Sequence, residues 1–217
     1  MLRTGTPRCL LVIAPHPDDE TIGAFGLMLR LRRRGIAVRV LVVSDGAGSH
    51  VGSPTWRGRR LVLERRRETR RAVRRTGVSA GRIAFLNLPD GGLQVETVRT
   101  RRVIAAALRR TPKPALVVAP AAGDDHPDHR IVAAAVAAAR MAGVRMLSYP
   151  VWPAGGRLRG ARRLPLSAQQ RLAKRHALCS YRTQTGRITD DPGGFTMTRK
   201  QIAAFSRPVE TFVEAHL

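Results

Sequence analysis

The stretch that decides the fold is CLLVIAPHPDDE, residues 9–20. Its first half, Cys9–Ala14, is a short and continuous apolar run, which is typical of a strand buried on both faces of a parallel sheet. Its second half changes abruptly to proline, histidine and acidic residues. Because ligands bind beside the carboxyl ends of strands in open α/β sheets, this change predicts a functional loop after the first strand.

The same alternation of apolar runs and helical patterns continues along the chain. The further predicted strands are Val38–Val43, Ile83–Leu86, Ala115–Ala119 and Val144–Ser148. The predicted helices between the strands are Thr21–Arg34, Arg59–Arg75, Val95–Arg110 and Arg130–Ala142. Strands that alternate with helices predict an α/β fold, a Rossmann-like three-layer sandwich with a mainly parallel sheet. The apolar face of the third helix is predicted to include Val98 and Ile104.

The pattern weakens after Pro150. We predict a loop over Val151–Pro165, a helix over Ser167–Ser180 and an edge strand over Pro208–Val213. Ser167 and Gln170 have the spacing of a capping box at the start of that helix. We expect this part of the chain to form a small C-terminal lid on the same domain.

Length and composition limit the class of protein. The chain has 217 residues, which suits a single domain over 1–217, with a core at about 8–150 and the lid at about 151–217. No apolar run approaches the roughly 18 residues of a membrane span, and the apolar run at the N-terminus is too short for a signal peptide. The two cysteines, Cys9 and Cys179, fit neither a zinc spacing nor a disulfide framework. A reducing, cytoplasmic location is therefore expected.

The net charge of +24 allows two interpretations. The chain could bind nucleic acid or another anionic surface. Alternatively, the arginines of a GC-rich genome could be spread over solvated helix faces, which is the interpretation we favour. Only 4% of the residues are aromatic, so stacking platforms for single-stranded nucleic acid are not expected. The basic surface would also suit an anionic small-molecule substrate.

Histidine and aspartate follow the ends of several predicted strands. The motifs are HPDDE at 16–20, SDG at 44–46 followed by His50, PDGG at 89–92, and DDHPDH at 124–129. Two histidines and one aspartate, with a fourth position open, are the donors of a catalytic zinc site. The same donors also suit other divalent ions such as Fe²⁺. Taken alone, the acidic residues of HPDDE could instead stabilise a helix N-terminus.

The segments 14–20 and 126–129 resemble the PIG-L/LmbE family of zinc-dependent N-deacetylases. The similarity continues in residues 44–50, in Arg65 and Glu68, and in residues 88–93, so that it covers roughly 8–150. It implies a Rossmann-like hydrolase that removes an acetyl or other acyl group from the amide nitrogen of an amino sugar or glycoconjugate.

The resemblance also implies roles for individual residues. Its metal ligands are His16, Asp19 and His129; its catalytic groups are Asp18 as general base and His126 as the group that steadies the oxyanion or protonates the leaving amine; its substrate-side candidates are Arg65, Asp90, Asp45 and His50. Structural alternatives stay open for three of these residues: a helix-surface ion pair with Glu68 for Arg65, a turn-forming role for Asp90, and a plain loop position for His50.

One position departs from the family. In the mycothiol branch a tyrosine that assists the oxyanion stands two residues before the first histidine of the second motif, and Asp124 stands there in this chain. Either His126 and the metal stabilise the oxyanion without a tyrosine, or Tyr149 or Tyr181 takes the place of that tyrosine.

The rival functions are a metal-dependent hydrolase of another amide or ester, and an arginine-rich nucleic-acid binder with structural acidic motifs. The sequence leaves the oligomeric state open.

Overall fold

The computed structural model describes residues 1–156 and 158–215, and within them seven strands and six α-helices form three layers. The strands are β1 (Cys9–Ala14), β2 (Ala37–Ser44), β3 (Ile83–Leu88), β4 (Ala115–Pro120), β5 (Val144–Tyr149), β6 (Arg162–Pro165) and β7 (Val209–Glu214). The helices are α1 (Asp19–Arg33), α2 (Arg59–Arg74), α3 (Thr97–Arg109), α4 (Pro127–Ala138), α5 (Ala168–Cys179) and α6 (Arg199–Phe205). No helix among these residues is both long and apolar enough to cross a membrane.

The strands form one mostly parallel sheet in the order β3-β2-β1-β4-β5-β7-β6. The strands β1 to β5 run parallel, whereas β7 is antiparallel to both β5 and β6. The predicted α/β class and mainly parallel sheet are therefore confirmed. Because β2 and β4 flank β1, the loops that follow β1 and β4 leave the sheet side by side.

Both faces of β1 are buried, as its continuous apolar sequence predicts. Leu10 and Val12 pack into a core shared with α1, α2, α5 and α6. Leu11 and Ile13 pack into a second core with α3 and α4 on the opposite face. The sheet is thus the middle layer of an α/β/α sandwich.

Three predictions for individual elements were wrong. The short strand β6 lies in the predicted loop, because its sequence RRLP buries only one side chain, Leu164, and has no apolar alternation. The strand β7 is not an edge, since it pairs with β5 on one side and with β6 on the other. In α3 the buried side chains are Thr100, Ile104 and Leu108, whereas Val98 is 82% exposed.

The chain after Pro150 contributes to the framework as well as to the cavity described below. Its strands β6 and β7 extend the sheet, and α5 and α6 join the helix layer on the face of α1. The predicted capping box of α5 is present, with Ser167 Oγ accepting from Gln170 N–H and Gln170 Oε1 accepting from Ser167 N–H. The division into a core and a lid stays a prediction.

A buried ion pair supports a kink in α1 at Ala24, where φ is −138° and ψ is 15°. Glu210 on β7 accepts hydrogen bonds from the backbone N–H groups of Gly26 (2.8 Å) and Leu27 (3.1 Å). Lys174 on α5 donates to the Ile22 carbonyl (2.7 Å) and to Glu210 (2.8 Å). Side chains that insert into the helical hydrogen-bond ladder are a recognised cause of kinks. The two charges therefore hold α1, β7 and α5 together.

We predict that Lys174→Met lowers the free energy of unfolding by about 3 kcal/mol, because it leaves the Glu210 carboxylate buried without a counter-charge. Urea denaturation at pH 7 measures the change. Lys200→Met is the matched control, since Lys200 is exposed at the start of α6, and it should change stability by less than about 0.5 kcal/mol. Equal effects of the two substitutions would contradict the role given to the ion pair.

Candidate active site

A cavity of about 1130 Å³ opens at the carboxyl end of the parallel strands. His16 and Asp18 reach it from the loop after β1, Asp90 from the loop after β3, and His126 from the loop after β4. Residues 193–198, from the chain after α5, line the opposite side. The sequence motifs singled out at the strand ends thus meet in one place.

Three donor atoms form a small triangle at the floor of the cavity, where His16 and Asp19 line the wall and the fully buried His129 does not. His16 Nδ1 lies 3.1 Å from His129 Nε2 and 3.2 Å from Asp19 Oδ2. His129 Nε2 lies 3.1 Å from the same Asp19 oxygen. All three residues are buried. The triangle therefore joins the start of α1 to the first turn of α4.

The triangle fits a divalent metal. In a tetrahedral site with metal–ligand distances of about 2.1 Å, donor atoms lie about 3.4 Å apart. The separations of 3.1–3.2 Å between His16, Asp19 and His129 are close to that value. A nitrogen of the His126 ring also lies within 4.8 Å of the ring nitrogens of His16 and His129.

Each imidazole of the triangle turns its other nitrogen toward a buried carboxylate. His16 Nε2 lies 3.0 Å from Asp90 Oδ1 and 3.3 Å from Asp128 Oδ2. His129 Nδ1 lies 3.1 Å from Asp124 Oδ1, although this contact falls short of an aligned hydrogen bond. Histidines that bind metals typically present their second nitrogen to a carboxylate, which fixes the orientation of the ring.

His16, Asp90 and Asp128 form a second group of close donors. The Asp128 carboxylate already accepts hydrogen bonds from the backbone N–H groups of Gly91 (2.8 Å) and Leu93 (3.2 Å). The Asp90 carboxylate accepts one from Gly48 (2.9 Å). We therefore interpret these two carboxylates as partners that orient His16.

The charges around the triangle favour a cation. Burial opposes the ionised form of Asp19, but the neighbouring His129 and His16 outweigh burial and hold its pKa below the usual value. Burial likewise lowers the pKa of His129, yet the charge of Asp19 and the contact with Asp124 raise it to about 9. The cluster is thus stabilised by added positive charge, which protons or a metal ion can supply.

Asp18 is held in an unusual backbone conformation beside the triangle, with a φ of 130°. Its N–H donates to Glu20 Oε2 (3.1 Å), and its Oδ2 lies 3.3 Å from Arg65 Nη2. Burial raises the pKa of the Asp18 carboxyl well above its usual value, against the opposing charge of Arg65. The Asp18 side chain makes no capping hydrogen bond at the start of α1, whereas Asp19 and Glu20 lie in the first turn, as the structural interpretation of HPDDE expects.

Arg65 is buried and holds the loops together. Its guanidinium donates to the carbonyls of Pro17 (2.7 Å) and Gly46 (3.0 Å) and lies 3.8 Å from Asp90. Glu68 is not its ion-pair partner but accepts from the Thr183 N–H (2.9 Å). Arg65 therefore positions Asp18. A direct contact of Arg65 with the substrate stays a prediction.

His126 caps α4, and this defines its tautomer. Its Nδ1 accepts a hydrogen bond from the Asp128 N–H (3.2 Å), so that Nε2 carries the hydrogen of the neutral ring. Burial lowers the pKa of His126, and the nearby His16 and His129 lower it further. His126 is thus suited to donate a hydrogen bond from Nε2 while it is neutral.

Two of the predicted substrate-side residues do not line the cavity. Asp45 accepts from the N–H groups of Ala47 (2.9 Å) and Asp90 (3.4 Å), and so it shapes the loop behind Asp90. His50 is 1% exposed, and its ring lies directly against Gly194. Asp90 does line the cavity.

Neither tyrosine considered for the oxyanion faces the cavity. The Tyr149 hydroxyl donates to the Ile13 carbonyl (2.8 Å), and the Tyr181 hydroxyl donates to Glu20. Both side chains are fully buried. Asp124, which stands at the tyrosine position of the mycothiol branch, contacts His129 instead.

The sequence analysis did not identify the contacts that Glu20, Asp124 and Asp128 make beside the proposed ligands. The spacing of Asp128 between two candidate histidines was a usable signal. The contacts of Glu20 and Asp124 depend on side-chain directions, for which the sequence carried no signal.

The comparisons with known proteins point to one family. A family model described as PIG-L, GlcNAc-PI de-N-acetylase, matches residues 11–140. The chain is 34% identical over 125 residues to a diacetylchitobiose deacetylase of Thermococcus kodakarensis, covering 56% of this chain and 45% of that protein. It is 33% identical over 123 residues to a probable N-acetyl-alpha-D-glucosaminyl L-malate deacetylase 2 of Bacillus subtilis, covering 55% of each. The chain thus spans about half the length of these curated relatives.

Solved structures share the fold over nearly the whole chain. N,N′-diacetylchitobiose deacetylase from Pyrococcus horikoshii matches with a TM-score of 0.71 and 20% identity, covering 95% of this chain and 83% of that one. The conserved protein TT1542 from Thermus thermophilus matches with a TM-score of 0.70 and 27% identity, covering 94% and 93%. Since the family model matches more than half of the chain, this protein belongs to the PIG-L family.

Proposed function

We propose that the protein is a zinc-dependent N-deacetylase that hydrolyses the acetyl or acyl amide of an amino sugar or glycoconjugate. The observation that carries the proposal is the triangle of His16 Nδ1, Asp19 Oδ2 and His129 Nε2 at the floor of the cavity. The names of the relatives support the substrate class, since they describe deacetylases of diacetylchitobiose and of an N-acetylglucosaminyl malate. A cytoplasmic location stays a prediction.

His16, Asp19 and His129 would hold the metal. Bound there, a divalent metal would polarise the acyl carbonyl and make water a better nucleophile at neutral pH. Zinc and Fe²⁺ both suit two imidazoles and one carboxylate. The carboxylates of Asp128 and Asp124 would keep the two rings in the orientation that binding needs.

Asp18 would move the proton. Its raised pKa makes the carboxylate a stronger base than an exposed aspartate, and Arg65 holds its Oδ2. Asp18 would accept a proton from the water that adds to the acyl carbon. The same proton would go to the amide nitrogen as the C–N bond breaks, which gives the free acid and the amine.

His126 would stabilise the charge that develops on the acyl oxygen. Its neutral ring carries the hydrogen on Nε2, which can donate to that oxygen while Nδ1 keeps its bond to α4. Of the two roles expected for His126, this tautomer favours the oxyanion over protonation of the amine. Asp90, on the wall of the cavity, could accept a hydrogen bond from a sugar hydroxyl.

The ligand assignment predicts that His129→Ala loses at least about tenfold in zinc affinity, because one of three protein donors is removed. Zinc content after dialysis against a weak chelator measures the change. His176→Ala is the matched control, since His176 is exposed on α5 and should keep its zinc. Full zinc occupancy in His129→Ala would refute the ligand set.

The base assignment predicts that Asp18→Asn keeps zinc and lowers kcat by about 10³-fold, because an amide cannot accept the proton. Acetate release from N-acetylglucosamine and N,N′-diacetylchitobiose, at equal zinc content, measures the loss. Comparable turnover by this variant and the unmodified protein would remove Asp18 from the mechanism.

The oxyanion assignment predicts that His126→Asn lowers kcat by about 10²-fold with zinc retained. Asparagine is itself a strong N-cap residue, so α4 should keep its cap and the protein its stability. Kinetics and a thermal melt of the same sample separate the two effects. A variant with unchanged kcat would show that His126 serves only as a cap.

A further inference from the structure

The cavity is larger than the reaction at the metal site requires. Its volume of about 1130 Å³ slightly exceeds the usual range of ligand pockets, which is about 300–1,000 Å³. His16, Asp18, Asp19 and His126 account for only part of its wall. The remainder is available to the part of the substrate that is attached to the amino sugar.

Part of the cavity wall is apolar. Ile22, Trp152, Phe195 and Met197 line it and are called here the apolar bank. The Trp152 and Phe195 rings meet edge to face with their centroids 5.9 Å apart. Val51, which is 78% exposed, also lines the cavity. An exposed apolar side chain beside an apolar wall is typical of a ligand site.

The apolar bank is held in place by its backbone. The Trp152 N–H donates to Asp124 Oδ2 (2.9 Å), and the same carboxylate contacts His129 through Oδ1. The Phe195 N–H donates to the Ser49 carbonyl (2.8 Å). The rings are thus positioned relative to the proposed metal site before a ligand arrives, which reduces the entropy lost on binding.

Three of the polar side chains that line the cavity, Thr198, Gln201 and Gln184, already have partners. Thr198 and Gln201 pair with each other in the capping box of α6. Gln184 Nε2 donates to Ser49 Oγ (3.2 Å). A second sugar bound here would compete with these contacts for hydrogen bonds, which lowers its gain on binding. These contacts favour an apolar group.

The charge of the cavity differs from that of the whole chain. Among the described residues that line it, Arg65 is the one arginine or lysine, and Asp18, Asp90 and two carbonyls already surround its guanidinium. Asp125 adds a further carboxylate. An anionic group bound there would face carboxylates without a free cation, so the net charge of +24 does not predict an anionic substrate.

We infer that the apolar bank is a subsite for an uncharged, apolar group attached to the N-acylated amino sugar. This inference rests on the proposed function and names its substrate class: a neutral glycoside with an aryl or alkyl aglycone. The aglycone lies against Trp152 and Phe195, while the acyl group lies at the triangle.

Four substrates test the subsite: N-acetylglucosamine, its phenyl β-glycoside, its 4-carboxyphenyl β-glycoside and N,N′-diacetylchitobiose. We expect kcat/KM for acetate release by zinc-loaded protein to be at least about tenfold higher for the phenyl glycoside than for the free sugar. The carboxyphenyl glycoside should fall about tenfold below the phenyl glycoside. Equal values, or a higher value for the carboxyphenyl glycoside or the disaccharide, would overturn the inference.

Two variants test whether the preference for the phenyl glycoside over the free sugar arises at the apolar bank and Val51. Phe195→Ala and Val51→Asp should each reduce the ratio of kcat/KM between phenyl glycoside and free sugar to about a third or less. Val51 is exposed, so that its substitution leaves the core intact. Val98→Ala, exposed on α3 and outside the cavity, should keep the ratio. An unchanged ratio in both Phe195→Ala and Val51→Asp would overturn the inference.

Binding measurements distinguish a wrong subsite from a wrong proposed function. Calorimetry with the deacetylated amines, glucosamine and phenyl β-glucosaminide, needs no turnover. If no substrate releases acetate, the proposed function fails, and at least tenfold tighter binding of the phenyl amine still supports the subsite. Equal binding of the two amines overturns the subsite whatever the activity.

Discussion

The buried Asp19 carboxylate between two imidazoles is the constraint on which the site depends. Three donor atoms within 3.2 Å of one another are unfavourable unless protons or a metal ion lie among them. The surrounding carboxylates, Asp90, Asp124 and Asp128, lie 3.0–3.3 Å from the outer nitrogens of the two rings. A positive charge at the centre therefore stabilises both the triangle and its surroundings.

The fold brings these donors together through strand order. Because β1 and β4 are parallel neighbours, the HPDDE and HPDH segments leave the sheet at the same edge. The kink in α1, held by Glu210 and Lys174, lies a little more than one turn beyond Asp19. The last strand and the fifth helix, although distant in sequence, thus support the helix that carries half of the site.

Much of the fold and site could be predicted from the sequence because local patterns encode them. The apolar run Cys9–Ala14 identified a central strand, and the histidine spacings identified the residues that converge. The strand β6 could not be found, because RRLP has no pattern beyond its single buried leucine. The burial of His50 under Gly194, and the contact of Asp124 with His129, depend on how distant loops meet.

The most direct test of the central claim is anomalous diffraction at the zinc edge from crystals of the metal-loaded protein. We expect one strong peak at about 2.0–2.2 Å from His16 Nδ1, Asp19 Oδ2 and His129 Nε2. A peak between His16 Nε2, Asp90 and Asp128, or the lack of any peak at the floor of the cavity, would contradict it.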